Sequence, residues 1–249
     1  MPKPKIGNFF SFLKPSRNAG PAPEAAGRTP EKPTRDFAAF FQHLKRLGFA
    51  PDYCIDVGAA GGTKIIYSSF PDAFHIVFEP LPDFREELEN TLEPYKHEIH
   101  FCALMKTPGE KSLLRHPDRY GSSLMHKNKK SHDNQVSVKV DTLDNIVGEN
   151  RLSGDVLLKT DCQGADLFVL KGGVETLKKV SVVIVEASLF RFWGEHHPDF
   201  TEIVRFMQNR GFALYDILDG LYRPHDNALG QVDLAFVRED GPFRKTHQW

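Results

Sequence analysis

Tyr53-Cys54-Ile55-Asp56-Val57-Gly58-Ala59-Ala60-Gly61-Gly62 decides how this chain is read. A short, mostly apolar run passes straight into glycine and alanine, the pattern of a buried strand whose carboxyl end opens into a turn. Backbone free of bulky side chains lets a ligand approach closely, at the sheet edge where α/β proteins bind small molecules. The spacing is not G-x-G-x-x-G, because the second glycine falls on Ala60 and the third on Thr63. A ligand without phosphates therefore fits better than a dinucleotide pyrophosphate. Phe74-His75-Ile76-Val77-Phe78 is a second buried strand, closed by Glu79-Pro80. An acidic side chain about 20 residues beyond such a loop can accept both hydroxyls of a ribose. Together the two features point to an adenosine-containing ligand.

Outward from this core, strands and helices alternate. Phe37, Phe40, Phe41, Leu44 and Leu47 fall at helical spacing, with Asp36 as cap and Gly48 as stop. A helix with Ile65, Ile66 and Phe70 follows the glycine loop, and an amphipathic helix from Pro82 to Tyr95 follows Glu79. Ile99 to Leu104 reads as a third strand. The polar stretch from Lys106 to Gln135 is too long for an ordinary loop; Ser112-Leu113-Leu114 and Ser123-Leu124-Met125 are strand candidates within it. Val136 to Val140 alternates with period two, and Asp155 to Asp161 is another buried strand. Gln163-Gly164 turns into a helix carrying Leu167, Leu170, Val174 and Leu177. Ser181 to Glu186 is a strand and Asp199 to Gln208 a helix. Phe212 to Ile217 and Val232 to Val237 close the chain as strands with no helix between them. This alternation predicts an α/β fold, a mostly parallel sheet covered on both faces and ending in an antiparallel hairpin.

The chain has 249 residues and a formal net charge of −1. Residues 36–249 suit one domain, with an insertion at about 106–135. Near-neutral charge argues against nucleic acid as a partner. Cys54, Cys102 and Cys162 show no CxxC spacing and read as reduced thiols of a cytoplasmic protein. No apolar run approaches the ~20 residues of a transmembrane helix. Residues 1–35 form a basic leader rich in Pro, Ala and Gly, expected to be disordered. Its Ile6 to Leu13 stretch leaves three readings open: a signal peptide, a weak membrane-surface or partner contact, and a flexible tail.

Several stretches resemble the successive motifs of FkbM-type methyltransferases: Cys54 to Gly62, Val77-Phe78-Glu79-Pro80, Val140-Asp141-Thr142-Leu143-Asp144, and Leu158-Lys159-Thr160-Asp161-Cys162-Gln163-Gly164-Ala165-Asp166. The closing Gly211-Phe212 and Val232 to Val237 are similar too. The resemblance spans roughly residues 50 to 238, and Leu-Lys-x-Asp-x-Gln-Gly is its most specific element. It implies a Rossmann-like class I methyltransferase with a mostly parallel seven-stranded sheet and terminal antiparallel hairpin. It also implies S-adenosylmethionine as methyl donor and a hydroxyl acceptor on a sugar, glycoconjugate, polyketide or other small metabolite. The chain departs from the family at Ala60, where Asn is frequent, and at Asp166, where Glu is usual. A catalytically silent module that binds S-adenosylmethionine is the alternative that Ala60 supports. A nicotinamide oxidoreductase fits less well.

The expected cofactor-binding residues are Asp56, Gly58, Ala59, Gly62, Glu79, Ala103, Leu104 and Asp161. Methyl transfer requires donor and nucleophile to be held in line, and a hydroxyl acceptor needs a base. Asp161 and Glu186 end consecutive strands, so both are expected at the carboxyl edge. Asp161 serves the cofactor or the acceptor there, or else caps the helix near Gly164. Glu186 is the candidate base or acceptor ligand. His196, with His197 beside it, lies in a loop that can overhang the site and is the third catalytic candidate. Ser122 and Ser123 can wall the cofactor, and Leu189 to Trp193 can line an acceptor pocket. No local metal-ligand spacing is present, so no metal is expected. Lys127, Lys129 and Lys130 lack interleaved aromatics and read as a solvated loop.

Overall fold

The computed structural model describes residues 34–125 and 134–248. Most of the leader and Lys127, Lys129 and Lys130 lie outside the described residues. Helix α1 (Phe37–Arg46) begins where the Asp36 carboxylate accepts the Ala39 amide at 2.8 Å. It buries Phe40, Phe41 and Leu44, whereas Leu47 falls beyond the last turn and is exposed. There follow β1 (Tyr53–Val57), α2 (Lys64–Ser69), β2 (Phe74–Phe78), α3 (Arg85–Leu92) and β3 (His97–His100). After them come β4 (Ala103–Leu104), β5 (Gly109–Leu114), β6 (Gln135–Asp141), α4 (Leu143–Ile146), β7 (Val156–Thr160) and α5 (Asp166–Lys171). The chain closes with β8 (Val182–Ser188), α6 (Phe200–Gln208), β9 (Phe212–Tyr222) and β10 (Leu229–Arg238).

Seven strands form the main sheet in the order β3-β2-β1-β7-β8-β10-β9. β10 pairs antiparallel with both neighbours, and the other pairs are parallel. Period-two alternation splits the core between the two faces. Ile55, Phe78, Leu158, Val183 and Phe236 belong to one apolar cluster. Cys54, Val77, Leu157, Val182 and Ala235 belong to the other, with Phe40, Phe41 and Leu44 of α1 packed beneath them. Each large side chain fully buried in this way contributes roughly 1.5–3 kcal/mol.

Three expectations need correction. The third strand breaks after His100, and Ala103–Leu104 joins a second, three-stranded sheet of order β4-β6-β5. β6 sits in this small sheet too, where Val138 and Val140 pack on Leu81, Phe84 and Leu113. The insertion thus folds against the start of α3 and builds a wall over the main sheet's carboxyl edge. The helix expected to run through Leu177 stops at Lys171. Gly172 caps the helix there, and a Cβ on it would lie 2.1 Å from the Met105 carbonyl oxygen.

Candidate functional site

The carboxyl ends of β1, β2 and β7 meet around a small cavity of about 70 Å³, which opens beside a larger, solvent-continuous cleft of about 660 Å³. The cleft's volume lies within the range of small-molecule sites, roughly 300–1,000 Å³. The loop after β1 closes on β2, because the amides of Gly58 and Ala59 both donate to the Phe78 carbonyl, at 3.0 and 3.2 Å. Gly58 has φ +76°, and a Cβ there would lie 2.0 Å from the Asp161 carbonyl oxygen. Only glycine permits so close a crossing of the β1 and β7 ends. Ala60 also adopts a left-handed conformation, φ +49°. Asn tolerates that region better than Ala, which gives a backbone reason for the family's preference.

Glu79 is buried between this loop and the cavity. Its Oε2 accepts the Ala60 amide and its Oε1 the Leu81 amide, each at 2.8 Å. Burial raises its carboxyl to about 7, against the opposing pull of those two amides. Ala103 and Leu104 lie on the cavity's apolar side, with Phe84, Leu81 and Leu113. Above them Tyr120 packs on Phe84 at 5.2 Å, and the Arg119 guanidinium lies 4.8 Å from the same ring.

The opposite end is charged. Asp161 and Gly58 border both cavities, while Ala59, Gly62, Glu186 and Asp233 border the larger one. Gln163 Nε2 donates to Asp161 Oδ1 at 3.1 Å and reaches Glu186 Oε2 at 3.5 Å. Glu186 and Asp233 face each other across β8 and β10. Burial, then repulsion from Asp161, Asp166 and Asp233, pushes the Glu186 carboxyl well above its ordinary value. Burial and the Asp161 charge raise Asp233 to about 7.

Asp56 lies beneath the loop rather than on either cavity wall. Its Oδ2 accepts the Tyr67 hydroxyl at 2.6 Å, and its Oδ1 is 3.4 Å from Lys159 Nζ. Asp161 does not cap α5; Asp166 Oδ1 instead takes the Cys162 amide at 3.0 Å. Ser122 borders the smaller cavity, and the buried Ser123 donates to the Gln163 carbonyl at 2.7 Å. His196 is exposed and borders neither cavity. His197 is buried, and burial lowers its imidazole to about 4. Leu189 to Trp193 also stand off both cavities. Lys159, Gln163 and Asp233 are site residues that sequence reasoning missed, although all three lie inside the quoted motifs. Among the described residues, no group of three or more His, Cys, Asp or Glu side chains is placed to hold a metal ion.

A glycine loop, a buried carboxylate, an apolar slot and a carboxylate-rich far end thus meet at one edge of the sheet. The seven-stranded, mostly parallel sheet is the Rossmann-like fold of class I S-adenosylmethionine-dependent methyltransferases. The chain belongs to the family described as the methyltransferase FkbM domain, whose model matches residues 56–214. No curated protein matches the sequence. Similar solved structures include a protein assigned as an RNA methyltransferase from Pyrococcus horikoshii, at 15% identity and TM-score 0.44, covering 81% of this chain and 83% of that one. A precorrin-6y C5,15-methyltransferase from Geobacter metallireducens is 10% identical with TM-score 0.41, covering 81% and 87%. Magnesium protoporphyrin IX methyltransferase from Synechocystis, with bound S-adenosylmethionine, is 9% identical with TM-score 0.42, covering 81% and 76%. No helix among the described residues is long and apolar enough to cross a membrane.

Proposed function

We propose that this chain O-methylates a hydroxyl of a sugar, glycoconjugate or other small metabolite, acting in the cytoplasm. The observation that carries the reading is Glu79, held by two backbone amides between the glycine loop and the apolar slot. Bound S-adenosylmethionine supplies an electrophilic methyl group on a sulfonium. The chain's own residues bind, orient and deprotonate. Glu79 takes the ribose, Ala103 and Leu104 flank the adenine, and the loop from Gly58 to Gly62 passes beneath. Asp161 offers a carboxylate to the cationic end.

Glu186 is the preferred base, because it borders the open cleft and its raised affinity for protons suits it to take one from a hydroxyl. His196 reaches the acceptor only through movement of its loop. Loss of turnover in Glu186→Gln but not in His196→Ala assigns the base to Glu186, and the reverse assigns it to His196. The acceptor is read as a small molecule or glycan rather than nucleic acid. Net charge is −1, and in the cleft the carboxylates of Glu87, Asp161, Glu186, Asp219 and Asp233 outnumber the ammonium groups of Lys64 and Lys159, which disfavours phosphates. The free thiols Cys54, Cys102 and Cys162 support a reducing compartment.

The deciding experiment is calorimetric titration with S-adenosylmethionine and with NADH. Micromolar binding of the sulfonium ligand alone, weakened at least tenfold in Glu79→Ala, supports the reading and justifies a screen of hydroxylated acceptors. Binding of NADH instead, or of neither ligand, removes it. Binding that no acceptor converts into turnover favours the silent module.

A further inference from the structure

Lys159 is the next-to-last residue of β7 and stands directly across from Asp56 in β1. Its residue is 4% exposed, yet it borders the open cleft. The ammonium has three oxygen neighbours at nearly equal range: Thr63 Oγ1 at 3.3 Å, Asp56 Oδ1 at 3.4 Å and Asp161 Oδ2 at 3.5 Å. None of the three is a short contact, so the charge is shared among them rather than held by one partner. These oxygens come from three parts of the site. Asp56 lies under the glycine loop, Thr63 is the residue that opens α2, and Asp161 borders both cavities.

Asp161 needs such a partner. Its carboxylate is 37% exposed and lies among Glu186, Asp233 and Asp166, whose charges repel it. Gln163 contributes one amide hydrogen bond to it but no charge. A carboxylate set among other carboxylates is steadied by an opposite charge and a hydrogen bond. Lys159 meets that need from below, leaving Asp161 open to the cavities.

We propose that Lys159 is a positioning residue: its ammonium holds the Asp161 carboxylate toward the cofactor and ties it to the loop through Thr63 and Asp56. This rests on the S-adenosylmethionine reading above. It also goes further, because the Lys of the Lys-x-Asp motif then acts through Asp161 rather than only stabilising the sheet.

The test is a double-mutant cycle on S-adenosylmethionine binding, read by calorimetry with Lys159→Met, Asp161→Asn and both together. Each single change is expected to weaken binding about tenfold, and the double change about as much as one single change, because contacting charges are strongly coupled. Losses that multiply to about a hundredfold would overturn the inference, as would unchanged affinity in Lys159→Met. Since Lys159→Met also strands the buried Asp56 carboxylate, the cycle is repeated on an Asp56→Asn background, with thermal unfolding confirming the fold. Coupling that survives there supports positioning, and coupling that vanishes there overturns it. Failure of the unmodified chain to bind S-adenosylmethionine removes the methyltransferase reading and this inference with it. Normal binding with multiplicative losses removes this inference alone.

Discussion

The backbone amide of Ala60 donates to Glu79 Oε2 at 2.8 Å, so the glycine loop and the acidic end of the second strand form one unit. The other oxygen of Glu79 takes the Leu81 amide, which ties in the chain leading to α3. The carboxylate is thereby aimed before any ligand arrives, and binding need not spend free energy on ordering it.

Glu79→Gln therefore has two effects. One amide keeps its acceptor, while the other meets an NH2 group, leaving a buried donor unmatched at a cost of about 1–3 kcal/mol. Urea unfolding should show that loss, and calorimetry should show S-adenosylmethionine affinity falling at least tenfold. Unchanged affinity would remove Glu79 from the binding site.

The raised carboxyls give a pH dependence of definite sign. Glu79 and Asp233 are each lifted to about 7 in the folded chain. Between the unfolded carboxyl value and about 7, the folded state holds more protons, so their contribution to stability falls as pH rises. His75 and His197, lowered to about 4 by burial, act oppositely: the unfolded state takes protons first as pH falls below about 6.5. The two trends partly cancel in the unmodified chain, so single variants must separate them. Relative to it, Asp233→Asn should gain stability from pH 5 to pH 8, and His75→Phe should gain from pH 7 to pH 4.5. Urea midpoints at those pH values check both signs.

Gly164→Ala should destabilise the turn after β7 by about 1–3 kcal/mol. Gly164 has φ +93°, and a Cβ there would lie 2.6 Å from Trp193 Cδ1 and 2.7 Å from His197 Nε2. Relief would have to come from the loop after β8. A thermal midpoint equal to that of the unmodified chain would show that this loop yields freely.

Phe41→Ala separates fold from site. Phe41 is fully buried against the sheet face away from the small sheet and meets Phe70 edge-on at 5.2 Å. Its truncation should cost about 3–5 kcal/mol, with S-adenosylmethionine affinity unchanged in the fraction that remains folded. A matching loss of affinity would mean that α1 supports the ligand directly.

Most of the sheet was legible because burial on both faces leaves continuous apolar runs, as in Val156–Leu158 and Val182–Val185. Gly58, Ala59, Gly62, Glu79, Ala103, Leu104 and Asp161 lie on the cavity walls. The second sheet was hidden, because β6 alternates as any half-buried strand does, and alternation does not say which sheet receives it. Asp56, near the end of its strand, was expected to bind cofactor, but Tyr67 and Lys159 draw its carboxylate into the core. Lys159 was quoted only as part of its motif, since one counter-charge, Asp161, follows two residues on but the other, Asp56, comes from far upstream. Asp233 was hidden for the same reason, as its proximity to Glu186 exists only once β10 lies beside β8.

That placement of β10 has a consequence for synthesis. β9 precedes β10 in the chain but lies outside it, so β8 cannot gain its second neighbour until the last strand leaves the ribosome. Until then the apolar stretch Val182–Val185 stands as an unpaired edge, the kind of surface on which nascent chains aggregate. The same late strand carries Asp233 to the cleft. A chain that stops short of β10 thus loses the cover on its stickiest edge together with one wall of its site. Such a fragment should fail as a soluble species before it can fail as an enzyme.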